Sequence, residues 1–123
     1  GNFKTFEDFR NRVETIKTNV EKNMKNLSSK YKNIYGFGAP AKATTALNYF
    51  GIEQYFNGVF EDNNLKHNKY IPGTNLKILK KNKKLSIDCL VVFAWNFFKD
   101  IKKNNTILTE NIISIKEIEI KNV

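Results

Sequence analysis

A short apolar stretch in the C-terminal half constrains the fold more than any other feature of the chain. Residues 90–93 read Leu-Val-Val-Phe without alternation, and the polar Asp88 stands just before them. A run this short, apolar and rich in branched side chains is typical of a β-strand buried on both faces. Such strands occur in parallel sheets that helices cover on both sides. We therefore predict a strand over residues 88–94 inside an α/β domain.

The rest of the chain alternates between strand-like and helix-like patterns, as a parallel sheet requires. Further strands are predicted at residues 33–37, 55–61 and 75–79, helices at 41–50 and 95–104, and an edge strand or two short strands at 112–120. Alternation of this kind predicts a Rossmann-like three-layer domain with a mainly parallel sheet. In the usual strand order 3-2-1-4-5, the ligand crevice lies between the carboxyl ends of the first and fourth strands.

The N-terminal segment has the period of one long amphipathic helix. Its apolar residues recur at spacings of three and four from Phe6 to Tyr31. Thr5 is a candidate N-cap, and Glu21 is spaced to attract Lys25 across one turn. We predict a helix over residues 1–31, which either covers the sheet or connects to an upstream domain, followed by the Rossmann-like domain over residues 32–123.

Charge and cysteine content limit the possible functions. The 21 basic and 12 acidic residues give a net charge of +9. This field could attract nucleic acid, anionic membranes or phosphorylated small molecules, although a lysine-rich background composition is the favoured explanation. The lysine-rich residues 77–84 lack the arginines and interleaved aromatics of a stacking platform, so we expect no nucleic-acid partner. The N-terminal residues are polar and charged, and the longest apolar run is far shorter than a membrane span, so we expect a cytoplasmic protein without a membrane partner.

Neither the single cysteine nor the single histidine predicts a metal centre or a catalytic group. Cys89 excludes an internal disulfide and a cysteine-based zinc cluster within this chain, and its apolar neighbours predict a buried structural thiol. His67 has only lysine and asparagine beside it, which is typical of a surface loop. We assign no catalytic residue and no metal ligand.

The main candidate site is the loop between the first predicted strand and the first helix of the α/β unit. Residues 36–42 read Gly-Phe-Gly-Ala-Pro-Ala-Lys. At such a junction, backbone N–H groups and the helix N-terminus attract an anion, the glycines let a phosphate approach, and Lys42 adds a positive charge. Ala41 stands where a full G-x-G-x-x-G pattern has glycine, so a purely structural turn is an equally good interpretation.

Two further segments add candidates. Asp62 follows the second predicted strand, where dinucleotide-binding domains place the acid that binds a ribose, although it is also a good turn residue. Trp95 and Asn96 follow the fourth strand at the mouth of the crevice, where a helix-capping asparagine and a rim tryptophan are the structural alternative. The complete candidate set for substrate or phosphate binding is Gly36, Gly38, Ala39, Pro40, Lys42, Thr44, Asp62, Lys66, Tyr70, Trp95 and Asn96.

Three segments together carry a resemblance to a known family. They are GFGAPAKATTALNYFGI at residues 36–52, FEDNNLKHNKYIPGT at 60–74 and VVFAWNFFKDI at 92–101. In order and spacing they resemble the C-terminal domain of bacterial sugar C-methyltransferases, which act on nucleotide-linked deoxysugars. The chain departs from the family pattern at Ala43, Glu61, Asn64 and Asn68, where the pattern has Gly, Asp, Pro and Gly.

The resemblance implies a module that holds a nucleotide-linked sugar and is not catalytically complete alone. S-adenosylmethionine is then expected in an upstream methyltransferase domain, and no cofactor is expected on this chain by itself. Two alternative functions remain open. One is a stand-alone domain that binds a nucleotide, NAD or coenzyme A, and the other is a basic interaction adaptor.

Overall fold

A five-stranded parallel sheet forms the centre of the computed structural model, which describes residues 2–38 and 40–123. Its strands are β1 Ile34–Phe37, β2 Val59–Phe60, β3 Ile78–Leu79, β4 Cys89–Val92 and β5 Ile112–Ser114. Their order across the sheet is β3-β2-β1-β4-β5, and every neighbouring pair is parallel. The predicted α/β class, Rossmann-like strand order and parallel sheet are confirmed.

Helices cover both faces of this sheet. They are α1 Asn2–Lys30, α2 Pro40–Phe50, α3 Phe98–Asn105 and α4 Ile115–Ile120. Helices α1, α2 and α4 pack on one face, and α3 packs on the other. None of the helices in the described parts of the chain is long and apolar enough to cross a membrane.

The interior strand β4 explains why the sheet needs two helical layers. Val91 and Phe93 point into the core under α1, α2 and α4, whereas Leu90 and Val92 point into the core under α3. All four side chains are buried. The interpretation of residues 90–93 as a strand buried on both faces is therefore confirmed, with the regular strand ending at Val92.

Helix α1 has a buried half and an exposed half. Val20, Met24 and Leu27 are buried against the sheet, whereas Phe6 and Phe9 are 65% and 57% exposed. The apolar stripe therefore continues beyond the core that it covers. The predicted N-cap at Thr5 is wrong, because the helix already begins at Asn2. The predicted Glu21–Lys25 pair forms, with 3.3 Å between Oε1 and Nζ.

The prediction of strand structure over residues 112–120 is wrong beyond Ser114. The Ser114 hydroxyl accepts a hydrogen bond from the backbone N–H of Lys116 and caps α4. Ile115 and Ile118 lie almost one helical turn apart, and both are buried. The last isoleucines therefore follow a helical period, although their sequence also suggests alternation.

The second and third strands are shorter than predicted. Only Val59–Phe60 and Ile78–Leu79 join the sheet. A 3-10 turn occupies Glu53–Tyr55, closed by a 3.1 Å hydrogen bond from the Phe56 N–H to the Glu53 carbonyl. This turn replaces the predicted start of the second strand, because its carbonyl and amide groups are paired locally and not with a neighbouring strand.

Candidate functional site

The crevice lies where the chain leaves β1 and β4 at their carboxyl ends. Phe37 pairs with Val92; Gly38 directly follows Phe37, and Ala94 lies two residues after Val92. Gly38 has a φ of 95°, and a Cβ added to it would lie 2.9 Å from the Ala94 Cβ. Glycine is therefore required here for both backbone conformation and space. The strand order reverses at this point, so helices α2 and α3 start from β1 and β4 on opposite faces.

Lys42, Trp95 and Asn96 meet at this crevice. Lys42 lies in the first turn of α2, and its Nζ donates a hydrogen bond to the Asn96 Oδ1. The same Nζ lies 4.8 Å from the centre of the Trp95 ring. The structure thus brings Lys42 together with two members of the predicted set that lie more than fifty positions later in the sequence.

A second lysine joins them from α4. The Lys116 Nζ also lies 4.8 Å from the centre of the Trp95 ring, and the tryptophan is 45% exposed. Each ammonium group is attracted by the electron-rich face of the indole. The two ammonium groups can bind an anion, and the half-exposed indole beside them provides a flat stacking surface.

A cavity of about 350 Å³ opens beside Trp95, between α2 and α4. Its volume falls in the range of small-molecule sites, about 300 to 1,000 Å³. Its lining is mostly apolar, with charged and hydroxyl groups at a few places. The lining residues are Ala41, Lys42, Thr45, Ala46, Tyr49, Phe50, Phe93, Trp95, Ile115, Lys116 and Glu119.

The remaining predicted residues of the first loop have local roles. Gly36 lies inside β1, where an added Cβ would meet the Phe93 ring at 2.4 Å. Pro40 is the first residue of α2, a position that suits its fixed φ. The Thr44 hydroxyl donates to the Pro40 carbonyl at 2.7 Å. Ala39 lies outside the described residues.

The second loop does not reach the cavity. Asp62 pairs with Lys81 at 3.1 Å, Lys66 is exposed, and the exposed Tyr70 has the Lys77 Nζ 5.8 Å from its ring centre. None of these three predicted residues belongs to the cavity lining.

The surroundings of His67 and Cys89 indicate structural roles for both residues. The His67 Nε2 donates to the Glu61 carbonyl at 2.6 Å, and no group of three potential metal ligands occurs in residues 2–38 and 40–123. Cys89 is fully buried, as predicted. Burial raises the pKa of its thiol from 9.0 to about 11, and the charge of Asp88 acts in the same direction. The thiol is therefore neutral and inaccessible at physiological pH.

Sequence reasoning missed Lys116 and Glu119. Both lie beyond Ser114, in residues 112–120, where we predicted strand structure. A strand would direct their side chains differently from a helix. A signal was present, because Ser114 and Glu117 form the S-x-x-E pattern of a capping box. That pattern indicates a helix start at residue 115.

Comparison with known proteins adds one match. The model of a family described as C-methyltransferase C-terminal domain matches residues 1–115. No curated protein and no solved structure matches the chain significantly. The matched range includes Lys42, Trp95 and Asn96, whereas Lys116 and Glu119 lie beyond it.

Proposed function

Since the chain belongs to the C-methyltransferase C-terminal domain family, we propose that it is the substrate-side module of an S-adenosylmethionine-dependent sugar C-methyltransferase. In this role the crevice at β1 and β4 binds a nucleotide-linked sugar. The methyl donor and the catalytic groups belong to a partner methyltransferase domain, and this chain alone does not transfer a methyl group.

The observation that carries the proposal is the cluster of Lys42, Trp95, Asn96 and Lys116. Two ammonium groups suit the diphosphate of a nucleotide-linked sugar, because each offers a charge that phosphate oxygens can approach from several directions. The Asn96 amide can donate to a sugar hydroxyl or a phosphate oxygen. The exposed indole surface suits the apolar face of a sugar ring or the flat face of a base.

The same cluster is a poor site for S-adenosylmethionine. That cofactor carries a positively charged sulfonium, and both lysines already place a positive charge 4.8 Å from the Trp95 ring centre. A sulfonium placed against the indole would therefore have two like charges beside it and be repelled. This repulsion supports the proposal that the methyl donor binds to another domain. The chain itself carries out no step of the reaction in this proposal.

The proposal is tested by thermal-shift titration with dTDP-, GDP- and UDP-linked sugars, NAD, coenzyme A and S-adenosylmethionine. A nucleotide sugar at one hundred times its Kd stabilises the folded state by about 2.7 kcal/mol. Lys42→Met is expected to weaken that binding by about tenfold, the effect of losing about 1.4 kcal/mol of charged hydrogen bonding. Lys83→Met is the matched control, because Lys83 is an exposed lysine outside the crevice.

Other outcomes of the experiment favour the alternatives. A response to NAD or coenzyme A without any response to nucleotide sugars would indicate a stand-alone cofactor-binding domain. Salt-dependent retention on DNA that persists in Lys42→Met, but is lost when residues 80–84 are neutralised, would indicate a basic adaptor. Methylation of a nucleotide sugar by the purified chain would contradict the division of roles between domains.

A further inference from the structure

Helix α4 places one carboxylate in the wall of the cavity beside Trp95. The Glu119 side chain is 14% exposed and lines the cavity. Its Oε2 lies 3.4 Å from the Nζ of Lys116, the lysine that also approaches Trp95. The cavity therefore has two ammonium groups beside the indole, and one carboxylate that is paired with the Lys116 ammonium group.

Contacts between α1 and α4 hold the backbone from which this carboxylate extends. The Asn19 Nδ2 donates to the Glu119 carbonyl at 3.1 Å, and the buried Asn23 Nδ2 donates to the Ile118 carbonyl at 2.8 Å. Ile118 itself is fully buried. These two hydrogen bonds tie the backbone of α4 at Ile118 and Glu119 to α1.

The charge arrangement discriminates between sugars. A phosphate group beside the two lysines gains attraction, and a sugar hydroxyl near Glu119 can donate to its carboxylate. A sugar that carries its own carboxylate brings a second negative charge close to Glu119. The repulsion is only partly screened, because the Glu119 side chain is mostly shielded from solvent.

We infer that Glu119 makes the cavity selective for phosphorylated sugars with an uncharged ring and against uronic acids. This inference rests on the proposed sugar-nucleotide site and adds the substrate class. Glu119 acts as a specificity-determining residue, and Lys116 links it to the anion-binding cluster at Trp95.

Glucose 1-phosphate and glucuronic acid 1-phosphate test the inference, because they differ in ring charge and lack the nucleoside. Their dissociation constants are measured by titration of backbone amide resonances in two-dimensional NMR spectra of the wild-type chain, Glu119→Gln and Glu117→Gln. The Glu117 variant has the same change in net charge on the same helix, but Glu117 does not line the cavity. The spectra also show whether each variant is folded.

We expect Glu119→Gln to lower the Kd of glucuronic acid 1-phosphate relative to that of glucose 1-phosphate by roughly three- to tenfold, as for loss of one partly buried charge contact. Glu117→Gln should leave the ratio of the two constants within about twofold of wild type, because Glu117 does not line the cavity. An unchanged ratio in Glu119→Gln, or an equal change in both variants, would overturn the inference.

The two proposals fail in different ways. If glucose 1-phosphate binds, and Lys42→Met weakens it, while Glu119→Gln leaves the ratio unchanged, only the selectivity is wrong. If neither sugar phosphate nor any nucleotide sugar shifts the resonances of the residues around Trp95, the sugar-nucleotide site is wrong, and the selectivity is wrong with it.

Discussion

Replacing Gly36 with alanine is expected to destabilise the protein through a clash in the core. An added Cβ would lie 2.4 Å from the Phe93 Cε2, 3.1 Å from its Cδ2 and 3.3 Å from the Val59 Cγ2. Ordinary contacts of this kind begin at 3.4 Å, so the ring edge must move by about 1 Å. Phe93 is 1% exposed, and its ring centre lies 5.5 Å from that of Phe56. Withdrawal of the ring would therefore disturb its packing against Phe56 or narrow the cavity beside Trp95, which Phe93 also lines.

The size of the effect follows from the cost of overpacking a core. Such changes cost about 1 to 3 kcal/mol. An unfolding entropy of about 2.1 cal/mol/K per residue gives about 0.26 kcal/mol/K for 123 residues. The expected decrease in Tm for Gly36→Ala is therefore about 4 to 12 °C, measured by circular dichroism during thermal unfolding.

Two controls separate the clash from other effects of losing a glycine. Gly51→Ala introduces a side chain at a φ of 64° with no atom within 4 Å, so it tests backbone strain alone, at about 1 kcal/mol. Phe93→Leu removes the ring edge that Gly36→Ala meets. The double variant should recover stability, with a coupling energy of about 0.5 to 3 kcal/mol for Gly36 and Phe93, and none for Gly51 and Phe93.

The reasoning is refuted by either of two results. One is a Gly36→Ala protein with the Tm of wild type. The other is a Phe93→Leu substitution that rescues Gly36→Ala no better than Gly51→Ala. If Gly36→Ala keeps its Tm but loses nucleotide-sugar binding, Gly36 contacts the ligand directly, as the sequence motif predicts.

Three further predictions concern stability. Ser114→Ala should lower the Tm by about 2 to 8 °C through loss of the α4 cap, worth about 0.5 to 2 kcal/mol, whereas the exposed Ser86→Ala should leave it unchanged. Asn23→Ala should lower the Tm by about 4 to 12 °C, because the carbonyls of Ile118 and Lys121 lose their side-chain donor at a cost of about 1 to 3 kcal/mol. The exposed Asn26→Ala is the control. The native Cys89 thiol should resist iodoacetamide at pH 8 and react once urea unfolds the chain. The pKa of the Cys89 thiol is raised to about 11 in the folded state, so the thiol contributes stability below pH 9. This stability is lost as the pH rises to 11. The Tm should therefore fall less steeply between pH 9 and pH 11 in Cys89→Ala than in the wild type.

The sheet could be predicted from the sequence because its physical requirements are local. A strand buried on both faces needs apolar residues at consecutive positions, and residues 90–93 show this directly. The alternation with helical segments then restricts the topology to a few arrangements, and the observed order is the commonest of them. The meeting of Lys42 with Trp95 and Asn96 follows from that topology alone, because parallel strands bring their carboxyl ends to one edge.

The α4 wall of the cavity could not be predicted from apolar periodicity. Its isoleucines fit both a strand and a helix, and the choice between them depends on the Ser114 cap and on Asn23, which lies 95 residues before its partner Ile118. A contact that distant leaves no periodic pattern in the sequence. The same holds for Asp62, whose ion pair with Lys81 depends on how two loops lie beside each other.

The glycine motif of the first loop shows how two packing constraints can imitate a ligand-binding pattern. Gly36 is required by the Phe93 ring, whereas Gly38 is required by its φ of 95° and by the Ala94 Cβ. Neither requirement involves a phosphate. Both result from the close approach of β1 and β4, which also brings Lys42 to Trp95. The geometry of the crevice thus explains both glycines. Its capacity to bind an anion comes from Lys42 and Lys116, the lysines beside Trp95. Substitution of the glycines should therefore act first on stability, and substitution of Lys42 first on binding.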